Sequence, residues 1–388
     1  MTMTTLRFRH ALVCSLFVAC SAVSVFAKGP IVAQGEPEAR EQDKDQGAAP
    51  KSGDSAGPVV GTLPNLDQDK LRPPGVTPEI ETSIRRGLEY LARTQNRDGS
   101  WRSAGGYGSY PVAMTALAGT ALACSGSTTT RGPYAIKIRR CVDYLLRNAM
   151  GNGLITSLQE EARPMYGHGF SLVFLAQVYG IEEEVARQHQ VHRVVKNAVD
   201  LVSRSQSAAG GWLYAPDDNG DEGSVTITQV QGLRAARNSG IAVSTKVIKA
   251  AIQYIADCQN ADGGISYSKS SRGSSRPAIT GAAVAVLYNA GKYDDPMAEK
   301  ALAYAKRTLP VSNSGGHHYY AHYYLAQALY QRGGKDWDQY YSDMSKWLMR
   351  QQQADGAWQG DGVGATYGTA VALTILQLPY ANLPIYQR

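Results

Sequence analysis

Two kinds of helical segment alternate along the chain from residue 80 onward, and they differ in where apolar residues fall. The first kind is amphipathic: Ile80, Ile84 and Leu88 recur every four residues, which places them on one helix face. The second kind is rich in Ala, Gly, Ser and Thr, as in residues 113–119, and small side chains let helices approach closely. The alternation predicts helical hairpins, each made of one helix of either kind.

Six small-residue segments end at or just before a glycine or a proline, residues that commonly close a helix. These helices are predicted at Pro111–Ser125, Phe170–Tyr179, Val225–Ser239, Ile279–Ala290, Tyr319–Arg332 and Tyr367–Leu378. An open stack of hairpins needs polar ends, whereas the tail from Leu378 to Tyr386 is apolar. We therefore predict an all-α fold in which six helical hairpins close into an (α/α)₆ toroid over residues 80–388.

The N-terminal region predicts export. Arg7, Arg9 and His10 precede an uncharged apolar run, and Val25-Phe26-Ala27 supplies small residues for a signal peptidase, so residues 1–27 are predicted to be a signal peptide. Phe17-Val18-Ala19 is a poor lipobox for Cys20, which argues against a lipoprotein. The expected location is the periplasm or cell envelope, and no later segment is long and apolar enough to span a membrane.

Residues 28–79 contain no aromatic residue and mix both charges with Gly, Ala and Pro. Such a segment cannot bury enough apolar surface to fold, so it is predicted to be a disordered linker. The whole chain has 39 Lys and Arg against 33 Asp and Glu, a mild excess that does not indicate a nucleic-acid partner. Cys124 and Cys141 lie on successive predicted helices, where either a disulfide or two buried thiols would fit.

A motif recurs at the ends of the amphipathic helices. Residues 86–91 read Arg-Gly-Leu-Glu-Tyr-Leu and are followed by Gln95, Gly99 and Trp101. Related versions contain Gln206, Gly210 and Trp212; Gln259, Gly263 and Ile265; and Gln352, Gly356 and Trp358. The second and fifth repeats lack the motif. A glutamine at a helix end can satisfy backbone groups and a tryptophan can bury apolar area, so these residues are interpreted as structural.

This motif resembles the QW motif of triterpene cyclases, and the chain resembles the squalene-cyclase and prenyltransferase repeat superfamily, especially its exported bacterial members. The resemblance implies inner helices that surround a cavity. It does not carry over an activity, because the DxDD acid cluster of squalene-type cyclases and the zinc ligands of protein prenyltransferases are absent from the sequence. No metal and no cofactor are predicted.

An acidic loop at residues 217–222 provides the first candidate site. Asp217, Asp218 and Asp221 formally match the DDxxD magnesium motif of terpene synthases, but Asn219 and Gly220 favour a turn rather than the required helix. In a toroid this loop is expected to border the cavity mouth. Asp221 and Glu222 are therefore predicted as catalytic acids, and Asp217 and Asp218 as ligand-binding residues.

Histidines and tyrosines provide the second candidate site. His318 and His322 are four residues apart and share a helix face, and His168 is expected to take the matching place in the second repeat. His318 is predicted as catalytic because imidazole carries protons near neutral pH. Tyrosine outnumbers phenylalanine by 23 to 5, which indicates a partly polar cavity rim. The remaining predicted ligand-binding residues are Tyr214, His168, Tyr319, His322 and Tyr367.

These observations predict an exported toroid that binds a small molecule, an isoprenoid or a glycan, in a central cavity. Three alternatives stay open: an isoprenoid cyclase or transferase of altered mechanism, a carbohydrate hydrolase or lyase, and an envelope scaffold with a protein partner. Whether the protein is an enzyme is left undecided by the sequence.

Overall fold

The computed structural model describes residues 72–160, 162–312 and 316–387. The predicted signal peptide and residues 28–71 of the predicted linker lie outside the described residues. The last part of that linker is folded, contrary to the prediction: Val76 is buried, and the first helix begins at Pro78, where the Thr77 hydroxyl accepts a hydrogen bond from the Ile80 amide. Threonine there caps the helix because the first turn has no intrahelical acceptor for its amides.

Twelve α-helices form six hairpins in the described part of the chain, as predicted. The outer helices are α1 (Pro78–Thr94), α3 (Ala135–Arg147), α5 (Val185–Arg204), α7 (Thr245–Asp257), α9 (Pro296–Thr308) and α11 (Gly334–Gln351). The inner helices are α2 (Pro111–Ala123), α4 (Pro164–Ile181), α6 (Gly223–Asn238), α8 (Pro277–Asn289), α10 (His318–Arg332) and α12 (Ala365–Gln377).

The inner helices close a ring. Each packs against the next in the order α2, α4, α6, α8, α10 and α12, and α12 packs against α2 again. Every residue of α2 is buried, whereas α1 buries one face only. A Cβ on Gly119 of α2 would lie 2.8 Å from the Phe174 ring of α4, so a residue without a side chain is needed at this contact. Closure of the toroid, inferred from the apolar tail, is confirmed.

One hydrogen-bond pattern joins successive hairpins. Gln206 Nε2 donates to Gly210 O at 2.8 Å and to Val247 O of the next outer helix at 2.9 Å. Gln95 and Gln259 make the same pair of bonds in their repeats. Gln352 Nε2 donates to Gly356 O and to Ser83 O of α1. The last and first repeats are therefore joined by the same pair of hydrogen bonds as repeats inside the chain. The motif glutamines are therefore structural, as interpreted from the sequence.

The motif glycine permits this close approach. Gly356 has φ +92°, and a Cβ there would lie 2.5 Å from Arg86 O. A residue with a side chain would be strained by this φ and would clash with the carbonyl, which explains why glycine recurs four residues after each motif glutamine. The motif tryptophan is also structural: Trp101 is buried and its Nε1 donates to Leu91 O, a carbonyl in the last turn of α1.

The C-terminal tail packs across the ring at the ends of the inner helices. The Ile385 amide donates to Gln177 Oε1 of α4 at 3.0 Å, and the Tyr386 and Tyr323 hydroxyls are 3.1 Å apart. Leu383, Ile385 and Tyr386 are buried. Tyr323 in turn contacts the edge of Phe170, which lines the cavity described below, so the tail closes the far end of the ring.

The three cysteines of the described chain, Cys124, Cys141 and Cys258, are free and buried. Burial raises the pKa of each thiol. The sequence left open either a disulfide between Cys124 and Cys141 or two buried thiols, and the structure shows two buried thiols. No helix in the described ranges is both long and apolar enough to cross a bilayer.

The seam contact gives a direct test of closure. Gln352→Ala removes the hydrogen bonds to Ser83 O and Gly356 O and the one accepted from the Ser83 hydroxyl, and is expected to reduce the free energy of unfolding by about 1–3 kcal/mol. Gln206→Ala removes the two equivalent bonds to backbone carbonyls inside the chain and serves as the control. Urea unfolding should show a loss for Gln352→Ala at least as large as that for Gln206→Ala. A loss confined to Gln206→Ala would mean that the seam is open.

Candidate functional site

A cavity of about 870 Å³ opens where the inner helices begin. Proline at the first position of α2, α4 and α8 fixes where these helices start. The cavity wall contains seven tyrosines: Tyr107, Tyr110, Tyr166, Tyr214, Tyr267, Tyr320 and Tyr367. The tyrosine-rich rim expected from the composition is therefore present.

The cavity has an apolar interior and a polar mouth. Met114, Leu117 and Phe170 are buried residues of its wall. Arg163 and Arg276 are exposed lining residues, and the Arg163 guanidinium lies 4.6 Å from the centre of the Tyr214 ring. Such a cation–π contact occupies one face of the tyrosine and holds the arginine at the mouth.

The buried phenols of the wall stay protonated. Burial raises the pKa of Tyr166, Tyr320 and Tyr367, and nearby acids raise these pKa values further. Tyr166 donates a hydrogen bond to Glu222 Oε1 at 3.1 Å. The Tyr320 hydroxyl has no partner among the described residues. The wall therefore offers neutral hydroxyl groups and aromatic faces rather than phenolate charge.

The predicted catalytic acids do not line the cavity. Glu222 is fully buried and caps its own helix α6, where its carboxylate accepts hydrogen bonds from the Ser224 and Val225 amides. Carboxylates are favoured at this end because the helix dipole is positive there. Asp221 accepts a hydrogen bond from the Lys269 amide at 3.1 Å. Neither acid is among the described residues that line the cavity, and Glu222 contacts two that do, Tyr166 and Ser224.

The rest of the acidic loop has local contacts. Asp218 accepts a hydrogen bond from the Ala215 amide within a turn, and Asp217 is exposed. Neither residue lines the cavity. Asn219 and Gly220 lie in a non-helical segment that follows a turn at residues 216–217, so the formal magnesium motif is not on a helix.

Three of the predicted site residues do line the cavity: Tyr214, His318 and Tyr367. His318 and His322 share a face of α10 with ring centres 4.3 Å apart, as the spacing predicted. His322 lies behind His318 and its Nδ1 is 3.0 Å from the Tyr340 hydroxyl. Burial lowers the pKa of His318 to about 4 and that of His322 to about 3, so both imidazoles are neutral near pH 7.

Tyr319 lines a neighbouring cavity rather than the central one. Its pKa is raised by burial. Within the ranges that the structure describes, no three His, Cys, Asp or Glu side chains are grouped so that they could hold a metal ion.

His168 has a structural role that the sequence analysis missed. In four repeats, an amide at the motif tryptophan position donates to a threonine hydroxyl of the next inner helix; these threonines are Thr115, Thr226, Thr280 and Thr369. In the second repeat the Ile155 amide donates to His168 Nδ1 at 3.1 Å instead. His168 is fully buried and is the fifth residue of α4, as Thr115 is of α2.

The matching residue in the fifth repeat is therefore His322, the fifth residue of α10. The two histidines replace threonine in the two repeats that lack the motif. This correspondence could have been found in the sequence by aligning the repeats on the threonines. Their recurrence indicates repeat packing rather than proton transfer.

Asp361, which was not predicted from the sequence, is the one acid among the described residues that line the central cavity. It precedes α12 and its carboxylate accepts hydrogen bonds from the Tyr319 and Tyr320 amides at 3.0 and 2.9 Å. Burial raises its pKa despite these bonds. Asp361 has φ +46°, and Tyr110, at φ +38°, also lines the cavity. Non-glycine residues in this region are strained and tend to occur at functional sites.

A second missed acid, Glu160, lies just behind the wall. It is 1% exposed, and its Oε1 accepts a hydrogen bond at 2.8 Å from the amide of Ala113, which lines the cavity. Its Oε2 has no partner among the described residues. Burial raises the pKa of Glu160 to about 8, although the amides at the start of α2 act in the opposite direction. The group is therefore mostly a neutral carboxylic acid near pH 7.

Comparison with known proteins identifies the architecture. The family profile described as "Prenyltransferase alpha-alpha toroid domain" matches residues 75–241 and 225–360. A search of curated proteins finds no match to this sequence.

Three solved proteins with different activities have folds similar to this one. A type II terpene cyclase from Scytonema, solved with geranylgeranyl dihydroxybenzoate as substrate, is 15% identical with a TM-score of 0.54, covering 79% of this chain and 98% of its own. An α-1,6-mannanase from Salegentibacter is 9% identical with a TM-score of 0.57 over 78% and 99%. A D-mannose isomerase is 14% identical with a TM-score of 0.57 over 78% and 98%. At these identities the similarity shows the fold alone.

The structural role of His168 is testable by restoring the consensus residue. His168→Thr keeps an acceptor for the Ile155 amide, whereas His168→Ala leaves that buried amide unpaired, at a cost of about 1–3 kcal/mol. Chemical unfolding at pH 7 should therefore find the alanine variant less stable than the threonine variant. Equal stabilities would contradict the assigned hydrogen bond.

The pH dependence of the threonine variant gives a second reading. The folded-state pKa of His168, about 4, lies below its ordinary value of 6.5, so its contribution to stability is lost as pH falls from 6.5 towards 4. The His168→Thr variant should lose less stability over this range than the parent protein.

For Glu160 the expected change of folding stability with pH has the opposite sign. Its folded-state pKa, about 8, lies above the ordinary 4.5, so the folded protein binds the extra proton and loses stability as pH rises from 4.5 to 8. Glu160→Gln keeps an oxygen acceptor for the Ala113 amide but cannot ionise. Urea unfolding should show that the variant gains stability relative to the parent between pH 5 and pH 9. Parallel pH profiles would contradict burial of an ionisable Glu160.

Proposed function

Because the chain belongs to the prenyltransferase alpha-alpha toroid family, we propose that it is an exported protein that binds an apolar, isoprenoid-class ligand in its central cavity. The observation that carries the proposal is the buried apolar interior behind a polar mouth. Export rests on the predicted signal peptide at residues 1–27.

The size and lining of the cavity support this ligand class. Its volume of about 870 Å³ is within the ~300–1,000 Å³ of typical ligand sites. Met114, Leu117, Phe170 and Ile279 give apolar contacts, and the tyrosines add aromatic faces. The Scytonema cyclase, which has the same fold, holds a geranylgeranyl compound. A branched hydrocarbon chain would fill such a space and release water from its wall.

The acids of the described chain favour binding over catalysis. Protonation of an alkene needs a strong acid, but burial raises the pKa of Asp361 and so makes it a weaker one. A glycoside hydrolase commonly uses two carboxylates facing the bond to be cleaved, and among the described lining residues Asp361 is a single acid. Glu160 and Glu222, which contact the wall from behind, accept hydrogen bonds from amides at the starts of α2 and α6.

Filling the cavity tests the proposal. Leu117→Trp adds a large ring to the buried wall and should weaken the binding of farnesol, used as an isoprenoid probe, by about tenfold or more, equivalent to ~1.4 kcal/mol. Leu117→Met keeps the side-chain volume and serves as the control, with affinity close to that of the parent. Titration calorimetry measures binding, and thermal unfolding checks that both variants fold.

Two results would contradict this proposal. One is a parent protein that does not bind farnesol. The other is a folded Leu117→Trp variant that binds it as tightly as the parent, since the probe would then lie outside the central cavity.

A further inference from the structure

A second cavity, of about 670 Å³, lies beside the central one, and we call it the lateral cavity. Its wall includes the loop at residues 359–364, the start of α10, and Trp347 and Gln351 of α11. Gly316, His318 and Asp361 line both cavities. The two spaces therefore border each other at these three residues, and one ligand could contact both.

The wall of the lateral cavity is built rigidly. Gly105 donates its amide hydrogen to Val363 O at 2.9 Å, which ties the loop to the first repeat. A Cβ on Gly105 would lie 2.0 Å from Gly362 O, so the two loops meet backbone to backbone. Asp361 extends from this loop to the amides at the start of α10. These bonds fix the loop across the seam of the ring before any ligand binds.

The lateral cavity presents hydrogen-bonding groups with little charge. No Lys or Arg is among its described lining residues, and the Asp361 carboxylate already accepts two backbone hydrogen bonds. Gln351 and Gln359 are exposed and supply both donors and acceptors. Trp347 adds an aromatic wall, with its ring centre 4.6 Å from that of His318.

His318 supplies an independent indication of a ligand. Its side chain is 95% buried, because its exposed fraction is 5%, and it lines both cavities. Its Nε2 has no hydrogen-bond partner in the described parts of the chain. Leaving a buried polar nitrogen unpaired costs about 1–3 kcal/mol. A ligand hydroxyl group beside Nε2 would supply the missing hydrogen bond and recover that free energy.

We propose that the lateral cavity binds the uncharged, hydroxyl-rich head group of an amphiphile, a sugar in chemical class, whose apolar chain lies in the central cavity. This assignment rests on the proposed function. Hydroxyl groups donate and accept, so they match the glutamine amides, the His318 imidazole and the loop backbone together. An anionic head would be repelled by Asp361, because no Lys or Arg is among the described residues of this wall.

A matched set of probes separates the head group from the chain. Titration calorimetry of the full protein, below the micelle concentration, compares decyl β-maltoside with 1-decanol, decyl sulfate, decyltrimethylammonium and free maltose. We expect the maltoside to bind at least about tenfold more tightly than decanol. Both charged amphiphiles should bind more weakly than the maltoside, and maltose alone should bind most weakly because it lacks the chain.

Variants then assign the preference to the lateral cavity. Gln351→Ala combined with Gln359→Ala should remove the advantage of maltoside over decanol while leaving decanol binding unchanged. Gln353→Ala is the matched control, because Gln353 is exposed near the end of the same helix but lines neither cavity. It should keep the full advantage of the maltoside.

The outcomes distinguish this inference from the proposed function. If decanol binds and the maltoside binds no more tightly, or if a charged amphiphile binds best, the head-group assignment is overturned while the apolar cavity stands. If the glutamine variants keep the maltoside preference, the head group lies elsewhere. If neither decanol nor the maltoside binds while farnesol does, the head-group assignment fails alone; if farnesol does not bind either, both proposals fail.

Discussion

The ring depends on one hydrogen-bonded contact between neighbouring hairpins. A glutamine just after an outer helix donates to its own loop and to a carbonyl near the start of the next outer helix, as Gln206 does to Val247 O. The contact from Gln352 to Ser83 O repeats it between the last and first hairpins. Because the closing contact has the geometry of the internal ones, the ring closes without a special joint. Four of the six junctions between hairpins have this contact, and the inner helices also pack on one another around the ring.

The cavity follows from this arrangement. Inner helices with small residues pack closely to one another, and the C-terminal tail closes one end through Ile385 and Tyr386. The other end contains the helix beginnings, where unpaired amides need acceptors. Glu160, Glu222 and Asp361 provide them for α2, α6 and α10. Helix capping therefore accounts for the acids at this rim.

The repeat pattern predicted the architecture because every hairpin pairs an amphipathic outer helix with an apolar inner helix, and four of the six add the glutamine and glycine of the motif. The tail was also predictable, since Leu383 to Tyr386 has no charge and must be covered. The site was harder to predict from the sequence, because helix capping depends on which loop contacts which helix in the folded chain. Asp361 caps α10 through the amides of Tyr319 and Tyr320, which lie 42 and 41 residues earlier in the chain. No local sequence pattern reveals a contact over that separation. Glu222, by contrast, directly precedes α6 and could have been recognised as its cap.

The most direct test of ring closure is a pair of distances measured by pulsed electron paramagnetic resonance. Spin labels at Glu89 and Lys346 span the seam, and labels at Asp200 and Gln253 span an internal pair of outer helices. All four residues are exposed and lie six positions before a motif glutamine. The account predicts the same narrow, short distance for both pairs. A longer or broad distribution for the seam pair alone would show an open arc and would contradict the enclosed cavity.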